Sequence, residues 1–362
     1  MKKIVVVGAG IAGCITALHY RYFGSDKFEV EMHYDPETPI EKVGQGTTLP
    51  ITALIGNSLG INWYDNPVGS TIKTGILYEN WGKRHEKLFH EFPKSLVACH
   101  YVPKLVSKTV LESGLFQVKE RKIQNPEKEI DCDYIFDCRG RKDINYSQYD
   151  KVINPLNSAI ISRKSGVDHT LKYTRCVATP NGWAFVIPNS DSVSYGYLYN
   201  STITTKEEAS NDFRERFGVD ELDYLSFKNY IAKNVWYGER TILNGTRYGF
   251  IEPLEATSAE FYQTVAKYTW DHIEFGASKK DVNNELRKEA KRIETFILWH
   301  YQNGSKFETP FWDYAKSLSF SVDDEFKEML SFSRQHNQME LSKSEALYSQ
   351  WAPLCFNNWD SV

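Results

Sequence analysis

The chain has 362 residues, a formal net charge of −4 and an aromatic content of 14%. This length suits one large domain or two interleaved ones, and the mildly acidic composition argues against a nucleic-acid-binding protein, which needs a basic surface. The sequence contains no apolar run of about 18 residues, as a membrane-spanning helix requires, and its six cysteines lack Cys-x-x-Cys spacing, so we expect reduced thiols, no metal site and a cytoplasmic protein.

The N-terminal segment predicts a strand, a helix and a second strand. β-Branched residues fill positions 3–7, apolar residues recur at helical spacing over 11–23, and a second apolar run occupies 28–34. This order of elements is typical of the Rossmann-type nucleotide-binding fold.

Three glycines, Gly8, Gly10 and Gly13, lie between the first predicted strand and the helix. Glycines at this spacing allow a tight turn, a close approach of the backbone to a pyrophosphate, and packing of the helix on the strand. The N-terminus of the helix adds N–H groups that can bind phosphate oxygens. Asp35 follows the second strand, where an acidic residue commonly binds a ribose hydroxyl. The segment therefore predicts a dinucleotide-cofactor site.

The rest of the chain divides into a strand-rich and a helix-rich part. Short apolar runs bounded by turn residues predict strands at Leu105–Val106, Leu115–Val118, Tyr134–Asp137, Ala159–Ser162 and Trp183–Pro188. Beyond Thr257, longer polar–apolar patterns predict helices. We therefore expect an α/β protein, with a cofactor-binding core and an interleaved β-sheet region in 1–256 and a mainly helical substrate region in 257–362.

Lys73 is a candidate for chemistry because it lies in an apolar, strand-like run between Ile72 and Ile76. A lysine that faces inward from such a strand is partly desolvated, and its pKa falls towards neutrality. The alternative is an edge-strand lysine that points into water.

A second candidate segment surrounds Thr257. Thr257 and Glu260 have the spacing of a capping box, and Phe261, Val265 and Tyr268 follow at helical spacing. A helix N-terminus presents unpaired N–H groups and a positive dipole, which together favour an anion. The alternative is a capped helix start that binds no ligand.

Four separated segments together resemble the flavin-dependent halogenases of the tryptophan halogenase family. They are Gly8-Ala-Gly-Ile-Ala-Gly13, Lys73 with its apolar run, Gly182-Trp-Ala-Phe-Val-Ile-Pro188 and Glu252-Pro-Leu-Glu-Ala-Thr257. Four residues depart from the family pattern: Gln45 replaces a glutamate, Phe185 replaces a tryptophan, and Arg247 and Tyr248 replace two small residues. A further matching element, His300-Tyr301 followed by Pro310-Phe-Trp312, is expected to be structural. Trp351, Phe356 and Trp359 are candidates for the substrate region.

The resemblance implies a Rossmann-type, flavin monooxygenase-like fold that binds FAD, and it assigns roles to individual residues. Lys73 and Glu255 match the family's catalytic lysine and glutamate. The halide-binding amides match Thr257 and Ser258, and the substrate-pocket residues match His90 and Phe92. The cofactor-binding residues match Gly8, Gly10, Gly13, Asp35, Gln45 and Trp183, the last as a wall between flavin and substrate.

The activity that the resemblance implies is halogenation of an electron-rich aromatic compound, such as an indole or a phenol. The family's cofactors are reduced FAD, O2 and a halide ion, and a separate flavin reductase is the transient partner that supplies the reduced flavin. Three alternatives stay open at this point: a flavin monooxygenase that hydroxylates its substrate directly, a non-catalytic FAD-binding protein, and an NAD-dependent dehydrogenase, for which the sequence offers no motif.

Overall fold

The computed structural model describes residues 1–41, 43–61, 66–82, 86–92, 98–168 and 170–318. The candidates Trp351, Phe356 and Trp359 lie outside these residues. Within them, no helix combines the length and the apolar character that crossing a membrane would need.

The described strands are, in chain order, β1 Lys2–Val7, β2 Phe28–Tyr34, β3 Gln45–Gly46, β4 Thr71–Lys73, β5 Gly75–Glu79, β6 Lys87–Glu91, β7 Ala98–Tyr101, β8 Gln117–Glu120, β9 Tyr134–Asp137, β10 Tyr149–Lys151, β11 Ser158–Ser165, β12 Thr174–Thr179, β13 Gly182–Pro188, β14 Ser192–Tyr199, β15 Asp223–Ser226, β16 Tyr230–Ala232, β17 Trp236–Tyr237, β18 Thr241–Leu243 and β19 Gly249–Phe250. The described α-helices are α1 Ile11–Phe23, α2 Leu49–Leu59, α3 Pro103–Glu112, α4 Pro126–Glu129, α5 Lys206–Phe217, α6 Ser258–Phe275, α7 Lys279–Asn303 and α8 Pro310–Ser317.

The chain forms two compact units that are interleaved in sequence. The first unit contains Met1–Thr71, Ala98–Val152 and Asn229–Ala290, and the second contains Ile72–Val97, Ile153–Lys228 and Lys291–Val362. The units therefore differ from a division of the chain after residue 256.

The first unit is built on a six-stranded sheet of order β17-β18-β9-β1-β2-β8. Its strands run parallel apart from β17, as the βαβ prediction requires. The predicted strand, helix and strand at the N-terminus are confirmed as β1, α1 and β2. Ile4, Val5 and Val6 are fully buried in the central strand, as expected of a parallel sheet covered on both faces.

The strand predicted at Leu105–Val106 is wrong, because these residues lie within α3. Pro103 occupies the first turn of this helix, where a missing N–H group costs nothing. Val106 and Val110 are buried and Lys104 and Lys108 are exposed, which is the helical spacing that a two-residue apolar run does not reveal.

The second unit is built on a seven-stranded sheet of order β15-β11-β14-β13-β12-β5-β6. Helix α5 covers part of one sheet face, where Phe213 packs against Ile160, Ala184 and Tyr197. The opposite face carries Trp183, Phe185 and His90, because the pairing register places these residues on one side of the sheet.

The C-terminal part of the described chain is helical, as predicted, in α6, α7 and α8. In the second unit, Trp81 contacts the rings of His300, Tyr301 and Trp312, and the Trp312 indole N–H donates to the Thr179 carbonyl at 2.7 Å. All four side chains are buried, so this element packs in the core of the unit.

Candidate active site

The glycine-rich turn lies at the carboxyl end of β1 in the first unit. Gly8 has a φ of +115°, and a Cβ on it would overlap the Cys138 carbonyl. A Cβ on Gly13 would overlap the Gly8 carbonyl, so both glycines are required for packing. A Cβ on Gly10, in contrast, would meet no atom within 4 Å. The turn therefore leaves open space in front of the first turn of α1, which fits the close approach of a pyrophosphate.

Asp35 follows β2 at the same edge of the sheet and is half-buried. One of its carboxylate oxygens accepts the Glu37 N–H at 3.0 Å, so the side chain is held by the turn. Because the carboxyl ends of β1 and β2 are adjacent, the turn and the acid have the arrangement that a dinucleotide requires.

A charged cluster that the sequence patterns did not predict lies at the end of β9. Asp137 is buried and accepts two hydrogen bonds from the Arg139 guanidinium, at 2.8 Å and 2.7 Å. The Arg247 Nε lies 3.3 Å from the same carboxylate. The available signal was an acid at the end of a buried strand, followed directly by Cys138-Arg139-Gly140.

The residues that differ from the family pattern at positions 45 and 247–248 all lie in the first unit. Gln45 is half-buried in the short strand β3, opposite Tyr101 of β7. Arg247 contacts Asp137, as described above, and Tyr248 is fully buried with its ring stacked on Phe261. The larger side chain of Arg247 is therefore accommodated by its ion pair with Asp137, and that of Tyr248 by packing in the core.

Glu255 is buried and has a left-handed backbone conformation, with φ of 72° and ψ of 3°. The next residue, Ala256, also has a positive φ of 53°. A non-glycine residue in this region costs free energy, and such strain often occurs at functional sites. Thr257 follows, and α6 begins at Ser258.

The predicted capping box at Thr257 and Glu260 is wrong. Thr257 has a helical backbone conformation, with φ of −69° and ψ of −17°, and its side chain makes no capping hydrogen bond. A capping side chain reaches the helix amides from an extended residue. The first-turn amides of α6, including those of Thr257 and Ser258, therefore keep the anion-binding potential of an uncapped helix start. Burial raises the pKa of the Glu260 carboxyl.

Lys73 belongs to the second unit and is almost completely buried, with 1% of its surface exposed. Its neighbour Ile72 is 45% exposed, as the alternation of a β-strand requires. The lysine thus faces inward, and the alternative of an edge lysine in water is wrong. Its Nζ lies 5.4 Å from the centre of the Phe92 ring.

His90 and Phe92 lie beside Lys73 in the same unit. Both are 8% exposed, and their rings are 5.6 Å apart in an edge-to-face arrangement. The Phe92 N–H donates to the Thr74 carbonyl at 2.8 Å, which fixes Phe92 next to the strand that carries the lysine. The structure therefore brings together the predicted catalytic lysine and the two predicted substrate residues.

Trp183 and Phe185, the residues predicted to form an aromatic wall, lie on β13 with ring centres 6.1 Å apart. Both are buried on the sheet face that also carries His90. The candidates thus form two groups. The glycine turn, Asp35, Gln45, Glu255, Thr257 and Ser258 belong to the first unit, and Lys73, His90, Phe92, Trp183 and Phe185 belong to the second.

The family model for tryptophan halogenase matches residues 3–105 and 104–356. The chain belongs to the tryptophan halogenase family. Its relatives include tryptophan 7-halogenase RebH of Lentzea aerocolonigenes, 26% identical over 208 residues, covering 52% of this chain and 39% of the relative. Tryptophan 6-halogenase SttH of Streptomyces toxytricini is 26% identical over 154 residues, covering 40% and 29%. The matched stretches thus span well under half of these halogenases.

Solved halogenase structures share the fold over nearly the whole chain. The tryptophan halogenase of Shewanella frigidimarina matches with a TM-score of 0.81 and 18% identity, covering 99% of this chain and 88% of that one. The SttH structure matches with a TM-score of 0.78 and 19% identity, covering 98% and 90%. The predicted fold class, an α/β fold of the flavin-dependent halogenase type with a helical C-terminal region, is confirmed.

Proposed function

We propose that this protein is a flavin-dependent halogenase that acts on an electron-rich aromatic substrate of the indole or phenol type. The observation that carries the proposal is the burial of Lys73 beside Phe92, in a chain that belongs to the tryptophan halogenase family. Taking a lysine amine out of water is costly, so a position that keeps one buried beside an aromatic ring is a candidate for chemistry.

The first-unit residues fit the cofactor, FAD. The open space at Gly10 and the N-terminus of α1 would hold the pyrophosphate, and Asp35 would bind a ribose hydroxyl. When bound and reduced, FAD supplies with O2 the oxidising equivalents that convert a halide ion to hypohalous acid. The amides of Thr257 and Ser258 would bind the halide at the start of α6.

Lys73 would hold the oxidised halogen and present it to the substrate. Its Nζ can donate a hydrogen bond to hypohalous acid, or, when neutral, take the halogen and release water. His90 and Phe92 would confine the aromatic ring, while Trp183 and Phe185 would separate it from the cofactor. Glu255 would accept the proton that leaves the ring after halogen addition, a general-base role.

The proposed partner is a flavin reductase that supplies reduced FAD transiently, and the proposed place of action is the cytoplasm. Within the described part of the chain, free thiols occur at Cys14, Cys99, Cys132 and Cys138, which supports a reducing compartment.

The direct test is a reaction of the purified protein with FAD, a flavin reductase, NADH, O2 and bromide, over a panel of indoles and phenols. Mass spectrometry should detect products with the isotope pattern of bromine only when bromide and enzyme are both present. A product that gains oxygen irrespective of halide would instead identify a monooxygenase. No product, despite flavin binding, would identify a non-catalytic flavoprotein.

A further inference from the structure

A cleft of about 500 Å³ lies in the second unit, away from every candidate described above. Its floor is a row of cross-strand neighbours, Leu77, Arg175, Val186 and Tyr195, from β5, β12, β13 and β14. These residues lie on the sheet face opposite Trp183, Phe185 and His90. Val167, Leu171 and Tyr173, which lie between β11 and β12 in sequence, line one side of the cleft.

Arg175 is held in the floor by one buried acid. Its Nε donates to Oε1 of Glu79 at 2.6 Å, and Glu79 is 8% exposed. The terminal nitrogens of Arg175 make no hydrogen bond to any group in the described part of the chain, although the side chain is only 32% exposed. A guanidinium that is anchored through Nε keeps its terminal N–H groups for a second acceptor, in the planar geometry that suits a carboxylate.

Two lysines add to the positive charge of the cleft. Lys164 donates to the Phe217 carbonyl at 2.6 Å and lies 5.5 Å from the centre of the Tyr195 ring. Lys87 stands at the rim, 3.7 Å from Oε2 of Glu79. The lining contains three cationic side chains and two carboxylates, those of Glu79 and Asp168. The charge of Glu79 is neutralised by Arg175. The lining thus has a net positive charge over a partly apolar surface.

We propose that this cleft binds a small organic carboxylate with an aromatic or branched aliphatic body. The carboxylate pairs with the terminal nitrogens of Arg175, and the body packs against Leu77, Leu171 and Tyr195. An inorganic anion would use only the charged part of this mixed lining, whereas the cleft volume is in the usual range for small organic ligands. The site is independent of the halogenase chemistry, because it shares no residue with it.

The test is a titration of the full chain with the probe 4-fluorophenylacetate, in which ¹⁹F NMR measures binding. The neutral probe 4-fluorophenylacetamide has the same ring and almost the same shape. We expect saturable binding of the acid and at least about tenfold weaker binding of the amide, because charge-assisted hydrogen bonds to guanidinium are lost. Equal binding of the two probes, or no saturable binding of the acid, would overturn the proposal.

Five variants locate the bound probe. Arg175→Gln should weaken binding of the acid at least about tenfold, and the double variant Glu79→Gln/Arg175→Gln should do the same without leaving a buried acid unpaired. Lys87→Glu changes an exposed residue and should weaken binding several-fold, whereas Lys104→Glu, an exposed control outside the cleft, should have no effect. Loss of binding in Lys73→Met but not in Lys87→Glu would place the probe elsewhere and refute the proposed site.

Discussion

The ring of Phe185 lies directly on Gly196 of the neighbouring strand, where a Cβ would overlap the ring. Position 196 therefore has to lack a side chain while an aromatic ring occupies position 185 in this conformation. The contact between Gly196 and Phe185 fixes the position of the Phe185 ring, one of the two rings predicted to form the aromatic wall. This ring is buried between Gly196 and Trp183.

Gly196→Ala should destabilise the protein by about 1–3 kcal/mol, because the added methyl group overpacks the strand pair. The measurement is the free energy of unfolding in urea. Gly56→Ala is the control: position 56 lies inside α2 with nothing within 4 Å of a Cβ, so this change should be neutral or stabilise by up to about 1 kcal/mol. Equal effects of the two substitutions would contradict the packing argument.

The two glycines of the cofactor turn should respond differently to alanine. Gly10→Ala should leave thermal unfolding unchanged, because its Cβ has free space, and should weaken FAD binding at least about tenfold. Gly13→Ala should cost about 2–4 kcal/mol of stability, because its Cβ overlaps the Gly8 carbonyl. Thermal unfolding without flavin, combined with a flavin fluorescence titration, separates the two effects. Unchanged FAD affinity in Gly10→Ala would argue against a pyrophosphate at this turn.

Replacing Lys73 should abolish halogenation without unfolding the protein. Lys73→Met keeps a long, unbranched side chain at the buried position, so the variant should remain folded. Lys73→Arg keeps the charge but cannot become neutral to take a halogen. Both variants should still oxidise reduced flavin and release hypohalite, which a scavenger must remove during the assay. Full halogenation by Lys73→Met under these conditions would refute the mechanism.

Glu255→Gln should lower the rate of halogenation by roughly 10²–10⁴-fold if the carboxylate is the general base. The amide has nearly the same shape, so the left-handed conformation at position 255 and the FAD affinity should be retained. Single-turnover kinetics with preformed oxidant measure the chemical step alone. A variant with a wild-type rate would remove Glu255 from the reaction.

The stability of the protein should fall in mildly acidic solution because of His19. Burial lowers the pKa of His19 to about 4, with a smaller effect from the charge of Lys267. The unfolded chain has a histidine pKa of about 6.5, so it binds the proton first as the pH decreases. The stabilisation by neutral His19 is fully present above pH ~6.5. As the pH falls from ~6.5 to ~4, the free energy of unfolding decreases by about 3 kcal/mol.

His19→Phe should remove this loss, because a phenyl ring can keep the contacts with Phe23 and Trp270 and does not titrate. The measurement is urea unfolding of both proteins at pH 7 and pH 4.5. Parallel pH profiles of wild type and variant would show that His19 contributes nothing to acid sensitivity.

Sequence patterns predicted the elements whose residues interact locally. The bounds of β1, α1 and β2 follow from apolar periodicity over adjacent residues, whereas the same pattern left open whether Lys73 faces inward or into water. The Asp137–Arg247 contact could not be predicted in this way, because its two residues lie on strands and turns that meet only in the folded sheet. The capping box failed because motif spacing does not specify backbone conformation at Thr257.

The interleaving of the two units has a consequence for synthesis on the ribosome. Strand β1 emerges before β9 and β18, yet in the six-stranded sheet Ile4 pairs with Tyr134, and Ile135 pairs with Thr241. The N-terminal strand must therefore wait for more than half of the chain before its sheet can close, and sheets with such distant partners form slowly. During that time an apolar strand edge is exposed to other nascent chains. Chaperone binding over this interval would raise the yield of native protein, whereas slower translation would lengthen the exposure and lower it.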